Sequence, residues 1–388
     1  MNRLAIILLV LVLAGQPASG ATNAAADCGL ATIQSLIDDA VAGDTILVPA
    51  GSTNWADTLD ITNSISVLGS GTNATIITAN NGALYLTGTG GGTMRVGGFQ
   101  FILGSSADAI NVAMSPTNSF RIDHCFLSGS DRLFVVWGCG LVDNCTILQP
   151  VKLAFVHGPS PGRNYTDAEQ TWLRTHWYPL DQTSLNALFF EDNEIVWTSF
   201  NNNVNYAIQT SDCGNYVVRY NTIRLNATAS GTQMWDYHGN QGRPSPSGSN
   251  IGAGSIMLGV YMNQFIHSGT PEGVQWVYAR AGSGLIFSNT ASGNMTGWYN
   301  QFQEEDFDDY GSPPYEDPVT NIWVGVNTPA MGYNYYNDVE NGVAVWVNEE
   351  QVYPSAYTPY PHPMIAAMDG EATTNPPAIP AQRVWLLK

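Results

Sequence analysis

Positive charge is the scarcest feature of this 388-residue sequence. Lysine and arginine together number 13 against 32 aspartate and glutamate residues, and the formal net charge is −19. Nucleic-acid-binding proteins need many cations for phosphate contacts, so this composition disfavours that class. Diffuse binding of acidic polymers is also disfavoured, unless cations reverse the charge locally. The strong helix formers are scarce as well, which argues against long helices.

Long apolar runs are also missing, apart from one near the N-terminus. Residues 4–14 form an apolar run that follows a short basic start and precedes small residues. A run too short to cross a bilayer, flanked in this way, predicts a cleaved signal peptide over residues 1–20. An uncleaved anchor is the alternative. We therefore expect a secreted, periplasmic or cell-surface protein with no membrane span in the mature chain.

What the sequence has instead is one six-residue phrase that recurs. The phrase reads apolar, two variable residues, Asn or Cys, one variable residue, apolar. Its copies lie at residues 122–127, 142–147, 190–195, 218–223, 260–265 and 286–291, and an earlier copy at 96–101 has Phe99 at the Asn position. A short strand that repeats with a fixed Asn indicates a solenoid, in which equivalent residues stack in columns.

The spacing of the copies predicts how the solenoid is interrupted. Most intervals fit one coil of about 20–28 residues, and two intervals are longer. The longer ones predict loop excursions at residues 157–185 and 229–252, both rich in Gly, Pro, Ser and aromatic residues. An amphipathic pattern over residues 30–42 predicts a helix that caps the open N-terminal end. We expect one solenoid domain over residues 28–365 and a flexible C-terminal tail over residues 366–388.

Two of the five cysteines occupy the Asn position. Cys125 and Cys145 fall in consecutive copies, so they should stack on neighbouring coils. Neighbouring strands lie about 4.8 Å apart, which is close enough for a disulfide. The favoured interpretation is that they are small buried residues that replace Asn.

Four segments resemble one known superfamily. They are residues 44–51, 120–125 and 280–289 and the closing Tyr360-Pro361-His362-Pro363. They are similar to right-handed parallel β-helix proteins of the pectate-lyase-like superfamily, over about residues 33–364. The resemblance implies an all-β, right-handed parallel β-helix, capped by a helix and carrying two long loop excursions. It also implies that the Asn column lies inside the helix at a turn, where side-chain amides bond along the stack.

The second position of the phrase forms a charged column. Its members, in order, are Asp123, Asp143, Glu191, Arg219, Tyr261 and Phe287. If the first position faces the core, strand alternation places the second in solvent. Three carboxylates on adjacent rungs would repel one another without a cation, and their oxygens suit Ca²⁺. The alternative is an ordinary polar face with an ion pair between Arg219 and Glu191.

The resemblance assigns roles to this column. Pectate lyases use acidic residues of one sheet face to hold Ca²⁺ and an arginine to abstract the proton beside the uronate carboxylate. The carry-over makes Asp123, Asp143 and Glu191 the metal ligands and Arg219 the base. The arginine-rich phrase that accompanies the catalytic arginine in those enzymes is absent around Arg219.

The predicted excursions supply the remaining candidates. Asp236 and His238, within the run Asp236-Tyr237-His238-Gly239, are candidate catalytic residues because a carboxylate beside a histidine suits acid–base chemistry. The candidate sugar-binding residues are Trp172, Trp177, Trp235, Tyr237 and Arg243. Packing of the loops onto the solenoid is the alternative role of these aromatics. His124 is expected to be a core histidine.

These observations favour a secreted, monomeric, polysaccharide-active protein, with Ca²⁺-dependent lyase chemistry as the first hypothesis. A non-catalytic glycan-binding or adhesive β-helix is the alternative from another class. A glycoside hydrolase is the third, because Asp123 with Asp143, or Glu191 with Asp236, could supply its two carboxylates.

Overall fold

A computed structural model describes most of the chain between residues 20 and 369. The described residues are 20–88, 90–104, 108–129, 131–148, 150–158, 184–198, 206–210, 214–226, 229–230, 233–238, 257–272, 274–280, 282–295, 298–303, 319–324, 327–328, 332–336 and 357–369. The predicted signal peptide, apart from Gly20, and the tail beyond Asp369 lie outside these residues.

Strands from successive coils build three long sheets with parallel pairing throughout. The first sheet contains, in order across it, β1 (Thr22–Ala24), β2 (Thr45–Val48), β5 (Ser66–Gly69), β8 (Gly92–Gly97), β11 (Asn118–Asp123), β14 (Cys139–Asp143), β17 (Leu188–Glu191), β20 (Tyr216–Arg219), β24 (Met257–Tyr261), β28 (Gly282–Phe287) and β31 (Val319–Val324).

The other two sheets follow the same order along the chain. The second contains β4 (Leu59–Ile61), β7 (Leu84–Leu86), β10 (Asp108–Ala113), β13 (Arg132–Trp137), β16 (Lys152–His157), β19 (Tyr206–Thr210), β23 (Gln233–Tyr237), β27 (Gln275–Ala279), β30 (Tyr299–Gln303) and β32 (Gly332–Tyr336). The third contains β3 (Gly51–Trp55), β6 (Thr75–Ala79), β9 (Gln100–Leu103), β12 (Phe126–Gly129), β15 (Thr146–Leu148), β18 (Glu194–Trp197), β21 (Thr222–Leu225), β25 (Gln264–His267) and β29 (Thr290–Gly293). A short pair joins β22 (Ala229–Ser230) to β26 (Pro271–Glu272).

This architecture is a right-handed parallel β-helix, as the sequence predicts. Each coil contributes one strand to each sheet, and alternate residues of a strand point inward. On the second sheet, Phe134, Ala154 and Ile208 are in register on successive strands and are fully buried. Stacking of such apolar residues from all three sheets forms one continuous core.

The recurring phrase forms the turn between the first and third sheets. The residue before each Asn or Cys has a positive φ of 50–57°, for example Asp192 and Tyr220. Each Asn then bonds along the stack: the Asn193 backbone N–H donates to Asn221 Oδ1 at 2.9 Å, and the Asn221 N–H donates to Asn263 Oδ1 at 3.1 Å. The predicted internal Asn column is therefore confirmed.

Cys125 and Cys145 continue this column as free, buried thiols. The Cys125 N–H donates to the Cys145 sulfur at 3.4 Å, and the Cys145 N–H donates to Asn193 Oδ1 at 2.9 Å. Burial raises the pKa of the Cys145 thiol, which keeps it protonated. The thiols are therefore buried replacements for Asn, as favoured from the sequence.

Two helices flank the coils. Helix α1 (Leu30–Asp39) buries Ile33 and Ile37 against the first coils, where the sequence predicts a cap. It ends at Asp39, three residues before the predicted end. Helix α2 (Pro363–Asp369) crosses the predicted boundary between the solenoid and the tail, so residues 366–369 are part of the folded domain.

The predicted limits of the second excursion are wrong at its start. Residues 233–237 form strand β23, paired in register with β19 and β27, because their inward side chains complete the core of a coil. Trp172, Trp177 and Arg243 lie outside the described residues. No helix among the described residues is long and apolar enough to cross a membrane.

Candidate functional site

The charged column of the phrase stacks on the first sheet as predicted. Asp123 is in register with Asp143, Asp143 with Glu191, and Glu191 with Arg219. These side chains lie on the outer side of the sheet, but none faces solvent: Asp123 is 1 % exposed and Glu191 and Arg219 are 0 % exposed. The predicted solvent-exposed groove on this face is therefore wrong.

A segment far away in the chain covers this face. Residues 357–369, which we call the C-terminal strap, end in helix α2 and lie along the first sheet. Arg219 Nη1 donates to the Thr358 carbonyl at 2.6 Å, and Nη2 donates to the Pro359 carbonyl at 2.8 Å. The His362 N–H donates to Glu191 Oε1 at 2.8 Å. The strap consequently excludes water from the groups that the lyase hypothesis needs open.

Apolar contacts also fix the strap. Tyr357 meets the rings of Tyr261 and Phe287 edge-on, and Tyr360 stacks on Tyr220 with ring centroids 3.8 Å apart. Tyr261, Phe287 and Tyr357 belong to a second buried cluster outside the coil core. Burial of such aromatic surface supplies the favourable free energy that offsets burial of the charges beneath it.

Arginines already neutralise the three carboxylates proposed as metal ligands. Arg95 donates to both oxygens of Asp123 at 2.8 and 2.7 Å, and Arg121 to both oxygens of Asp143 at 2.9 and 2.8 Å. Arg219 meets Glu191 at 2.5 Å. A cation placed here would face three guanidinium groups, so this donor set does not fit Ca²⁺. Among the described residues, no group of three His, Cys, Asp or Glu could hold a metal.

The pKa shifts agree with a structural role for the column. Burial lowers the pKa of Arg219, but Tyr261 and Glu191 raise it more, so its pKa lies above the ordinary value and the guanidinium cannot act as a base. Burial raises the pKa of Asp123, and its contacts with Arg95 and Arg121 lower it to a net value below the ordinary one.

Desolvation also acts on two groups at the centre of the strap contact. Burial raises the pKa of Glu191 to about 7, opposed by Arg219 and the His362 N–H. Burial and the positive charge of Arg219 and Arg121 lower the pKa of His362 to about 3, so the ring is neutral near neutral pH. Both shifts show how strongly the strap removes this face from water.

His124 lies beside the column and is not a core residue. Its side chain is 61 % exposed, and Nδ1 contacts Asp123 Oδ2 at 2.8 Å. The residue occupies the left-handed turn, with φ 52°, so it leaves the strand before alternation can place it inside.

A second polar cluster lies on the outer face of the second sheet. Asp236, on β23, contacts His238 Nε2 through Oδ2 at 2.8 Å and receives Arg280 Nη2 on both carboxylate oxygens at 2.8 Å. Arg280 Nη2 and Gln209 Nε2 also contact His238 Nε2. The structure thus brings together two of the three predicted catalytic residues, Asp236 and His238, with Gln209 and Arg280, which were not predicted. The third, Arg219, lies on the first sheet.

Strand register explains the assembly of this cluster. Gln209, Asp236 and Tyr278 are in register on β19, β23 and β27, so their side chains leave the same face of three consecutive coils. His238 and Arg280 directly follow the last residues of β23 and β27, Tyr237 and Ala279, which are also paired. The Arg280 guanidinium lies 4.6 Å from the Tyr278 ring centroid. Asp236 is fully buried, as Arg219 is, whereas the side chains of His238 and Arg280 keep 7 % and 11 % of their surface exposed.

Half-buried aromatic residues continue this face on earlier coils. Trp137 stacks on His157 with ring centroids 3.8 Å apart, and Phe155 meets His157 edge-on at 4.4 Å. Lys152 Nζ lies 4.7 Å from the Tyr206 ring centroid. We call this group, with residues Trp137, Lys152, Phe155, His157 and Tyr206, the aromatic band. His157 is 4 % exposed, whereas Trp137, Phe155 and Tyr206 are half-buried, and partly exposed aromatic faces beside hydrogen-bonding groups suit sugar rings.

Two of the predicted sugar-binding residues, Trp235 and Tyr237, point into the core of the β-helix. Trp235 and Tyr237 alternate with Asp236 on β23, so they face inward and are 0 % exposed. Trp235 packs against Trp276 at 5.8 Å and Tyr237 against Tyr216 at 5.9 Å. Their predicted contact with substrate is wrong, because they belong to the strand and not to a loop.

Sequence reasoning missed the aromatic band, Gln209 and Arg280 because it followed only the phrase on the first sheet. A signal was available in the strand that precedes each phrase. Alternation over β13 puts Val135 and Trp137 on the side opposite to the buried Phe134 and Val136. The same alternation over β16 separates Phe155 from the buried Ala154 and Val156.

The carboxylate pairs proposed for a hydrolase are not presented together in an open groove. Asp123 and Asp143 are both buried and paired with arginines. Glu191 and Asp236 belong to different sheets.

No family model matches the sequence, and no curated protein matches it either. Solved structures show distant similarity. An alginate lyase from Paenibacillus sp. strain FPU-7 is 12 % identical, with 81 % of this chain and 98 % of that chain covered and a TM-score of 0.38. The catalytic unit of a GH87 α-1,3-glucanase from Streptomyces thermodiastaticus is 13 % identical, with 84 % and 71 % covered and a TM-score of 0.33. ORF18 of Geobacillus virus E2 is 12 % identical, with 79 % and 56 % covered and a TM-score of 0.39.

Proposed function

We propose that this chain is an extracellular polysaccharide-active protein whose site is the outer face of the second sheet. The observation that carries the proposal is the Asp236–His238–Arg280 cluster: a carboxylate, an imidazole and a guanidinium in mutual contact beside a band of aromatic residues. The predicted signal peptide over residues 1–20 fits an extracellular substrate.

The charges of this face favour a polymer that contains uronate. The protein is strongly acidic overall, yet Lys152 and Arg280 place two of its 13 cationic residues at the second sheet. A uronate carboxylate could contact Lys152 while its sugar ring packs on Tyr206, and the carboxylate of another sugar of the same polymer could contact Arg280. Binding would then depend on local positive charge at this face. The negative net charge of the protein, which disfavours diffuse binding of acidic polymers, would not prevent it.

The chemistry that these groups support best is β-elimination. When Nε2 of His238 carries the proton, it donates to Asp236, and Nδ1 becomes the basic nitrogen. His238 then removes the proton on the carbon beside the uronate carboxylate, while Arg280 stabilises the charge that develops on that carboxylate. The bond from the neighbouring carbon to the glycosidic oxygen breaks, a carbon–carbon double bond forms, and the imidazolium returns its proton to the leaving oxygen. Asp236 is a positioning residue for His238.

Ca²⁺ has no part in this proposal, because arginines neutralise its predicted ligands, Asp123, Asp143 and Glu191.

A glycan-binding protein without catalysis is the second candidate, and the aromatic band favours it. The stacking of Trp137 on His157 fixes the orientation of the Trp137 ring, on which a sugar ring could pack without any reaction. The two candidates differ in their need for His238, because the band alone would hold a glycan.

We expect His238→Gln and Asp236→Asn each to lower the turnover of a uronate polymer by about 100-fold or more, since loss of a general base typically has this effect. The assay is the ultraviolet absorbance of the unsaturated uronate product, with polygalacturonate and alginate as substrates. Arg224→Gln is the matched control, because Arg224 forms an exposed ion pair with Glu194 on the third sheet. That variant should retain wild-type turnover.

Binding to the immobilised polymers distinguishes the candidates. The glycan-binding function predicts that the wild-type protein binds the polymers and releases no product. Trp137→Ala should then weaken binding and His238→Gln should leave it unchanged. This set of results would exclude elimination. Full turnover by His238→Gln would contradict the assignment of the site.

A further inference from the structure

Two arginines on neighbouring strands of the first sheet hold a single carboxylate. Arg95 Nη1 donates to Asp369 Oδ1 at 2.8 Å, and Arg121 Nη1 donates to Asp369 Oδ2 at 2.5 Å. Arg95 and Arg121 are in register on β8 and β11, so their guanidinium groups come from neighbouring strands. Asp369 is the last residue of α2, more than 240 residues away in the chain.

Contacts with two other carboxylates fix the orientation of both arginines independently of Asp369. Asp123 binds Nε and Nη2 of Arg95, and Asp143 binds Nε and Nη2 of Arg121. Each pairing uses one edge of the guanidinium and leaves Nη1 directed at the same acceptor. This geometry presents a rigid, two-armed donor for one carboxylate, which is the arrangement that favours tight anion binding.

The contact lies at the rim of the covered face. The Arg95 side chain is 17 % exposed and Asp369 is 26 % exposed, whereas Arg121 is 1 % exposed. Water and small solutes therefore reach the Asp369 carboxylate and one arginine without displacement of the whole strap. The Arg219–Glu191 contact, by contrast, lies wholly beneath the strap.

We propose that Arg95 and Arg121 form a carboxylate-binding site that accepts the carboxylate of an acidic sugar, and that Asp369 occupies it as an internal competitor. The site is separate from the second-sheet face, and it does not depend on catalysis there. Its occupation by Asp369 holds the end of α2 on the sheet. A carboxylate ligand that displaces Asp369 releases that end of the strap.

The tether sets the strength of competition. A ligand group attached to the protein by a short segment acts at an effective concentration on the order of millimolar or above. A free monovalent carboxylate must exceed that concentration to displace Asp369 from the wild-type protein. Removal of the Asp369 carboxylate abolishes this competition, so the variant should bind the same ligand about tenfold or more tightly.

The test is calorimetric titration of galacturonate into wild-type protein and into Asp369→Ala. We expect binding to Asp369→Ala at least about tenfold tighter than to the wild type. Acetate should bind the same variant, because the carboxylate is the recognised group, and galactose should not bind. Arg95→Gln in the Asp369→Ala background should abolish binding, whereas Arg224→Gln should leave it unchanged.

The variant Asp369→Asn guards against a change of fold, since asparagine keeps the shape of the side chain and removes its charge. Circular dichroism and limited proteolysis of the strap establish whether each variant is folded. Folded Asp369→Ala and Asp369→Asn proteins that do not bind galacturonate or acetate would overturn the proposal. Binding that survives Arg95→Gln would place the carboxylate elsewhere and overturn it too. Neither outcome bears on turnover at His238.

Discussion

Replacement of Asn221 by alanine is expected to destabilise the protein by roughly 3–5 kcal/mol, because it leaves several buried polar groups without partners. Asn221 accepts hydrogen bonds from the backbone N–H and the side-chain amide of Asn193, and its own amide donates to the carbonyls of Phe190 and Arg219. All lie in the interior of the turn, where water cannot replace the lost bonds. A fall in the urea midpoint measures the effect.

Two variants make this prediction specific. Asn226→Ala is the control, because Asn226 is exposed at the end of β21 and should change the midpoint little. Asn221→Cys should cost less than Asn221→Ala, since Cys145 shows how a thiol at this position accepts the N–H of the preceding coil. An Asn221→Ala protein as stable as the Asn226→Ala control would mean that the column is not a main source of stability.

Replacement of Arg219 by alanine is also expected to cost about 3–5 kcal/mol, because it leaves the Glu191 carboxylate buried without its counter-charge. The change also deprives the carbonyls of Thr358 and Pro359 of their donors, so the strap should become susceptible to proteolysis. Urea denaturation and limited proteolysis measure the two effects.

A double-variant cycle separates this structural role from catalysis. Glu191→Leu combined with Arg219→Met should be much less destabilised than the sum of the single variants, since apolar replacement of both partners of a buried ion pair is well tolerated. If elimination activity is measured, the folded double variant should retain it. A stable Arg219→Ala protein that has lost activity would restore the original assignment of Arg219 as the base.

Neighbour relations along the solenoid could be predicted from the sequence. The recurring phrase placed Asp123, Asp143, Glu191 and Arg219 on consecutive strands, and the observed registers agree. The resemblance to parallel β-helix proteins placed the Asn column inside the turn. This success has a simple physical origin, because a coil of nearly constant length stacks equivalent positions and the inside of the turn requires a polar group to satisfy its backbone.

Contacts from distant segments could not be predicted in the same way. The strap meets the first sheet through Thr358 and His362, which lie 139 residues from Arg219 and 171 residues from Glu191 respectively. No periodic pattern links those positions, so a column that alternation places outside the coil was taken to be in solvent. Asp369 illustrates the same difficulty, since its role depends on the two arginines that it meets.

The sequence predicted some residues of the candidate site but not their place in the fold. The Asp236-Tyr237-His238 run identified two members of the cluster from residue types alone. Its assignment to a loop was wrong, because the long interval between two copies of the phrase contains strand β23. For the same reason Trp235 and Tyr237 were predicted to contact substrate, although both are buried in the core. Arg280 joins the cluster only through the register of β23 with β27.

The most direct test of a polysaccharide site on the second sheet is hydroxyl-radical footprinting of the wild-type protein with and without a bound uronate polymer. The half-buried rings Trp137, Phe155 and Tyr206 should be protected by the polymer, while Phe126 on the third sheet should be oxidised equally in both samples. Protection confined to Tyr220 and Tyr360, beside the strap, would instead place the polymer on the first sheet and contradict the proposed site.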